Sequence, residues 1–340
     1  MLQIDNQTDY EAGLSVLFDQ NGVETAYIVI KATLQIDHPE QVAEEQLPIL
    51  YADEHWGDPM TTSVKYPADM TLCKPSTDVI LNGTAFAPGA YPTAQLDVKL
   101  DVGETSKTVR VIGDRVWQKG RGGISPSPPA EFVSMPLVYE LAFGGVDVHP
   151  DGREDWDERN PVGRGFLASD KSEKSEGSPL PNLEVPGQEL KRWSERPTPA
   201  GFGAIAAHWL PRSSLAGTYD ETWEKKRSPF LPSDFNPSHL NAAHPDLVCD
   251  RHLQGGEIVS VSGVHPEQTI RFALPLKQFR IRYHLAGQEA EAEHRLETLL
   301  IDTTKREYAI VWRASVPCSK QATKLNWIAI EELQPSRTQV

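Results

Sequence analysis

The chain has 340 residues, enough for a sizeable core in one large or two ordinary domains, with 39% hydrophobic and 24% charged residues in globular proportion. A formal net charge of −15 argues against a nucleic-acid partner, which needs a basic footprint. Three cysteines (Cys73, Cys249 and Cys318) give no disulfide framework, the N-terminal MLQIDNQTDY has no basic-then-apolar signal, and no apolar stretch approaches a membrane span, so a cytoplasmic protein with no membrane partner is expected.

Residues 1–118 read as strands. Ile28, Ile30, Ala32, Leu34 and Ile36 alternate with Val29, Lys31, Thr33 and Gln35, a period of two. Val79 to Phe86 is a shorter run of the same kind. Leu96, Val98, Leu100 and Val102 alternate with Asp97, Lys99 and Asp101, and Val109 to Trp117 follows a turn at Gly103. Strands joined by turns, without long amphipathic helices between them, predict antiparallel sheet.

Residues 119–250 are rich in proline and glycine and predict an irregular middle with short helices. Lys119 to Pro129 lacks the G-K-[ST] of a phosphate loop. Ser169 to Ser178, charged and serine-rich, predicts a mobile loop. Pro197 to Leu247 breaks regular structure repeatedly yet carries Phe202, Trp209, Tyr219, Trp223, Phe230 and Phe235. A disordered linker has no use for such side chains, so this stretch reads as an ordered insertion, functional or covering a sheet. Within it, Thr218 and Glu221 form a T-x-x-E capping box, Tyr219 and Trp223 lie one turn apart, and the helix should stop before Pro229.

Residues 251–340 return to strands. Ile258 to Val264 and Thr269 to Leu274 flank a turn at His265-Pro266-Glu267, and period-two runs occupy Phe279 to Leu285 and Tyr308 to Ala314. A short helix is expected near Trp327. The fold class is therefore mainly β, with antiparallel, sandwich-like sheets at both ends. The two β regions could form one sandwich or two.

Few constellations point to chemistry. His239, His244, Cys249 and His252 are all zinc-competent residue types, but H-x4-H-x4-C-x2-H lacks the paired close ligands of a structural site. Asp53, Glu54 and His55 could be an acid–base group or an exposed turn. There is no G-x-S-x-G and no H-E-x-x-H. Two of the many carboxylates could form a glycosidase pair, which sequence spacing cannot test. No catalytic, cofactor-binding or metal residue is assigned.

Several segments together resemble one family, the domain of unknown function 2169 proteins encoded with bacterial type VI secretion systems. They are Asp53 to Pro59, Ser63 to Asp69, Lys74 to Gly83, Gly113-Asp114-Arg115, Tyr139 to Gly145, Asn160 to Gly163, Pro199 to Gly203 and Ala216 to Asp220. One departure is Leu141, where the family pattern often carries Arg. The resemblance spans most of the chain and implies a single family-wide unit, subdivided near 1–118, 119–250 and 251–340. It also implies a cytoplasmic adaptor or chaperone, not an enzyme, that binds a toxin effector, often PAAR-containing, and helps load it onto the secretion spike. The residues chosen as partner-binding are Trp209, Arg212, Tyr219, Trp223 and Phe230, since aromatic and arginine side chains anchor protein interfaces. The acidic surface is expected to shield a basic effector. A carbohydrate-active enzyme and a structural scaffold are the alternatives.

Overall fold

The computed structural model describes residues 3–120, 123–149, 151–169 and 175–333. Strand dominates these residues; helix is confined to one short α-helix, Glu221–Lys226, and brief 3-10 turns. Of the serine-rich piece expected to be a mobile loop, positions 170–174 lie outside the described residues.

Three sheets carry the fold. The first runs Glu11–Phe18, Glu24–Gln35, Glu307–Pro317, His294–Asp302, Asp78–Asn82. The second runs Leu183–Glu184, Thr105–Ile112, Gln95–Val102, Ile258–Ser262, Ile270–Ala273; the third runs Gln3–Asn6, Leu325–Leu333, Gln278–Leu285, Gln288–Ala292. Every sheet takes strands from both ends of the chain. Glu24–Gln35 pairs antiparallel with Glu307–Pro317, Gln95–Val102 pairs antiparallel with Ile258–Ser262, and Gln3–Asn6 lies parallel to Leu325–Leu333. One hydrophobic core accordingly runs through Ile28, Leu81, Val98, Phe202, Val261 and Ile310. Most pairs are antiparallel as predicted, but Asp78–Asn82 is parallel to His294–Asp302, a pairing that needs the long intervening connection.

The strand Glu24–Gln35, whose residues alternate with a period of two, is buried on both faces. Its second face is covered by the segment that follows. Lys31 Nζ donates to Asp69 at 2.8 Å and to the Pro48 carbonyl at 3.0 Å, and the Gln46 amide pairs with both backbone groups of Thr33. Loop side chains thus satisfy polar positions that a two-stranded neighbourhood would leave to water.

Two local expectations change. Trp327 lies in the strand Leu325–Leu333, with only a 3-10 turn at Ala322–Lys324 before it; pairing with Gln278–Leu285 outweighs the weak local helix signal. The helix cap is Asp220, not Thr218. Asp220 is extended and its carboxylate accepts from the Trp223 N–H at 2.8 Å, the geometry of an N-cap reaching N3. Thr218 instead bonds Asp234 through its N–H and its hydroxyl.

Candidate functional site: an aromatic lobe at a sheet edge

The insertion is fixed to the sheets by buried charge. Asp78 is fully buried; its Oδ2 accepts from Lys74 Nζ at 2.6 Å and from the Ala242 N–H at 2.8 Å, and its Oδ1 accepts from the Asn241 amide at 2.8 Å. Lys74 Nζ also donates to Thr298 Oγ1 at 2.7 Å. One carboxylate therefore joins the buried edge strand Asp78–Asn82 to the insertion. Glu297, equally buried, accepts from the Lys74 N–H and pairs with Arg313. The Glu140 carboxylate takes both the N–H and the hydroxyl of Ser63 at 2.8 Å. The Asn160 amide donates to the Tyr139 and Phe143 carbonyls. Gly144, at φ +145°, lies so close to the Asn160 carbonyl that a Cβ would fall 2.1 Å from its oxygen. These motif positions are structural joints, and Leu141 beside them packs against the core.

On this scaffold the five residues expected at an interface separate into two groups. Trp209 is 3% exposed and meets the Tyr139 ring edge-on at 6.1 Å. The Arg212 guanidinium turns inward to the carbonyls of His239 and Ile205. Both are part of the packing. Tyr219, Trp223 and Phe230 instead gather at the surface: Tyr219 and Trp223 rings are 4.7 Å apart, and Trp223 Nε1 donates to the Phe230 carbonyl at 2.8 Å. Phe230 meets Phe18 edge-on at 5.0 Å. Arg227 fastens the lobe by donating to the carbonyls of Gln20 and Leu231 at 2.7 Å. Tyr219 is 54% and Phe18 47% exposed, and Val16 and Leu17 beside Phe18 are exposed too.

Phe18 was not expected. It ends the strand Glu11–Phe18, which an Asn21-Gly22 turn connects to Glu24–Gln35. Asn-Gly between apolar runs is a strong hairpin signal and would have placed Phe18 at the hairpin tip. Nothing in the sequence places Phe230 against it.

A concavity of about 560 Å³ lies against the insertion, lined by Tyr139, Val185, Ile205, Leu210, Pro211 and His244. Lys107, from the strand Thr105–Ile112, approaches His244 Nδ1 to 3.1 Å and Asp246 Oδ2 to 2.7 Å. Burial, helped by the Lys107 charge, pushes His244 down to about 4, so the imidazole is neutral at physiological pH. Its Nδ1 accepts from the Asp246 N–H at 3.2 Å. The other zinc-competent residues face separate partners: His239 Nδ1 the Arg212 carbonyl, Cys249 the Thr105 hydroxyl, His252 Nδ1 the Leu296 carbonyl. Among the described residues no group of three His, Cys, Asp or Glu could hold a metal ion. Asp53 accepts from the Ala68 N–H and Glu54 faces Lys65, so these carboxylates brace a small hairpin.

Fold and site define a mainly β protein that interleaves its two ends in three sheets and displays an anchored aromatic lobe. The family model described as an uncharacterized protein conserved in bacteria, DUF2169, matches residues 21–313; the chain belongs to this family. No curated protein and no solved structure matches it. No helix among the described residues is long and apolar enough to cross a membrane.

Proposed function

We propose that this chain is a non-catalytic cytoplasmic adaptor: it binds a type VI secretion effector, often one carrying a PAAR-type tip, and helps mount it on the secretion spike. The observation that carries this reading is the surface cluster of Phe18, Tyr219, Trp223 and Phe230, in which Phe18 and Tyr219 are exposed and Trp223 and Phe230 half-buried. Large aromatic side chains are the usual anchors of protein interfaces. These are already held by the Trp223–Phe230 hydrogen bond and by Arg227, so little ordering is left for the moment of binding, and preorganisation of that kind favours affinity. The net charge of −15 favours a basic partner and speeds encounter with it.

The test is affinity purification of the tagged chain from a bacterium that encodes it. A toxin or spike protein retained in stoichiometric amount is the expected result. Recovery of the chain alone under conditions where the secretion system is made contradicts the proposal.

A further inference from the structure

We propose that the edge strand Glu11–Phe18 receives an extended segment of the partner as an added β-strand, and that this segment alternates apolar and basic side chains. The inference rests on the adaptor reading and names how that partner is held.

Glu11–Phe18 is the outer strand of the first sheet; the opposite edge, Asp78–Asn82, is wholly buried. The strand pairs in unbroken register with Glu24–Gln35 over eight residues, from Glu11↔Lys31 to Phe18↔Glu24. In an antiparallel pair every second residue turns its N–H and C=O away from its neighbour. Among the described residues, no backbone hydrogen bond covers that outward row. Such rows are templates for another strand, and proteins ordinarily blunt them with lysine, proline, a bulge or a covering loop. The sequence EAGLSVLF contains neither lysine nor proline, and its pairing shows no bulge. At its end, Val16, Leu17 and Phe18 are all exposed. Consecutive residues point to opposite faces, so both faces of an incoming strand would meet apolar side chains, and Phe18 continues that surface into Phe230.

Charge decides the occupant. Glu11 opens the strand and Asp19 and Glu24 flank its hairpin tip, where Arg227 is already engaged by the Gln20 and Leu231 carbonyls and Lys31 by Asp69. Two copies pairing antiparallel along this edge would set Glu11 of one against the Asp19 end of the other, which costs stability. A basic segment would be drawn to these acids. Backbone pairing of this kind supplies affinity while alternate side chains supply selectivity.

The experiment is amide hydrogen exchange on the full chain, read residue by residue by NMR, with a capped octapeptide of alternating valine and lysine as probe. In the free chain, alternate amides of residues 11–18 should exchange fast. Excess peptide should slow those same amides by about tenfold or more. A glutamate-for-lysine peptide, or one with proline replacing every second valine, should leave them fast. Val16→Lys in the chain should abolish the protection with an unchanged melting temperature. Unaltered exchange with the valine–lysine peptide overturns the proposal. So does slow exchange without peptide in a chain that dimerises with concentration, because the occupant is then a second copy. Repeating the measurement on the complex recovered from the native host separates the two readings. A captured effector with residues 11–18 still unprotected removes the edge strand and leaves the adaptor. No captured effector removes the adaptor, and the edge proposal with it.

Discussion

Asp78 shows how much of this protein depends on single buried charges. It is the acceptor for Lys74, Asn241 and the Ala242 N–H at once. Asp78→Ala leaves the Lys74 ammonium buried without its counter-charge. Breaking one side of a buried pair costs about 3–5 kcal/mol, and urea unfolding should register a loss of that size. His244 makes a prediction in pH. Its ordinary value of 6.5 is lowered to about 4 in the fold, so between those values the unfolded chain takes up a proton that the folded chain does not. The stability contributed by keeping this imidazole neutral is fully present above pH 6.5 and is lost as pH falls toward 4. The urea midpoint of the wild-type chain should therefore fall more steeply over this window than that of His244→Gln; parallel slopes would remove the assignment. The sequence displayed Asp78 and Lys74 as motif residues without showing what they do. Lys74 and Asp78 are four apart, but Thr298 reaches them through sheet pairing and Asn241 through the packing of the insertion, and no local spacing encodes either.

At the level of elements, the strands with clean alternation were legible: the Ile258–Ser262 and Ile270–Ala273 hairpin pairs as its pattern predicts. Strands without that pattern were not. His294–Asp302 is buried almost throughout, yet its sequence mixes Leu296, Leu299, Leu300 and Ile301 with Arg295, Glu297, Thr298 and Asp302 without a period of two, so no pattern marks it as a strand. The aromatic insertion was legible as ordered, but not how its residues divide, because burial of a tryptophan depends on partners far along the chain. That division is testable. Trp209→Ala empties a packed site and should cost about 3–5 kcal/mol in unfolding free energy. Tyr219→Ala removes a ring already half in water and should change stability by about 0.5 kcal/mol or less while weakening partner capture. Equal losses of stability would mean that the lobe is packing throughout.

Across the whole molecule, the two β regions that look separate in the sequence share all three sheets. Alternation marks each strand's faces but not its neighbour, so interleaving was out of reach of pattern reading. The charge of −15 belongs to this scale as well. If it steers a basic partner, association should slow markedly between low and physiological salt, with a smaller change in dissociation; stopped-flow mixing measures both rates, and a salt-independent association rate would remove the steering. The central claim is that an anchored aromatic lobe grips another polypeptide. Isothermal titration of the recovered effector into wild-type chain and into Trp223→Ala tests it most directly. A variant that melts close to the wild type but binds at least about tenfold more weakly, a loss of about 1.4 kcal/mol, is the predicted result. Equal affinity for the two chains would contradict it.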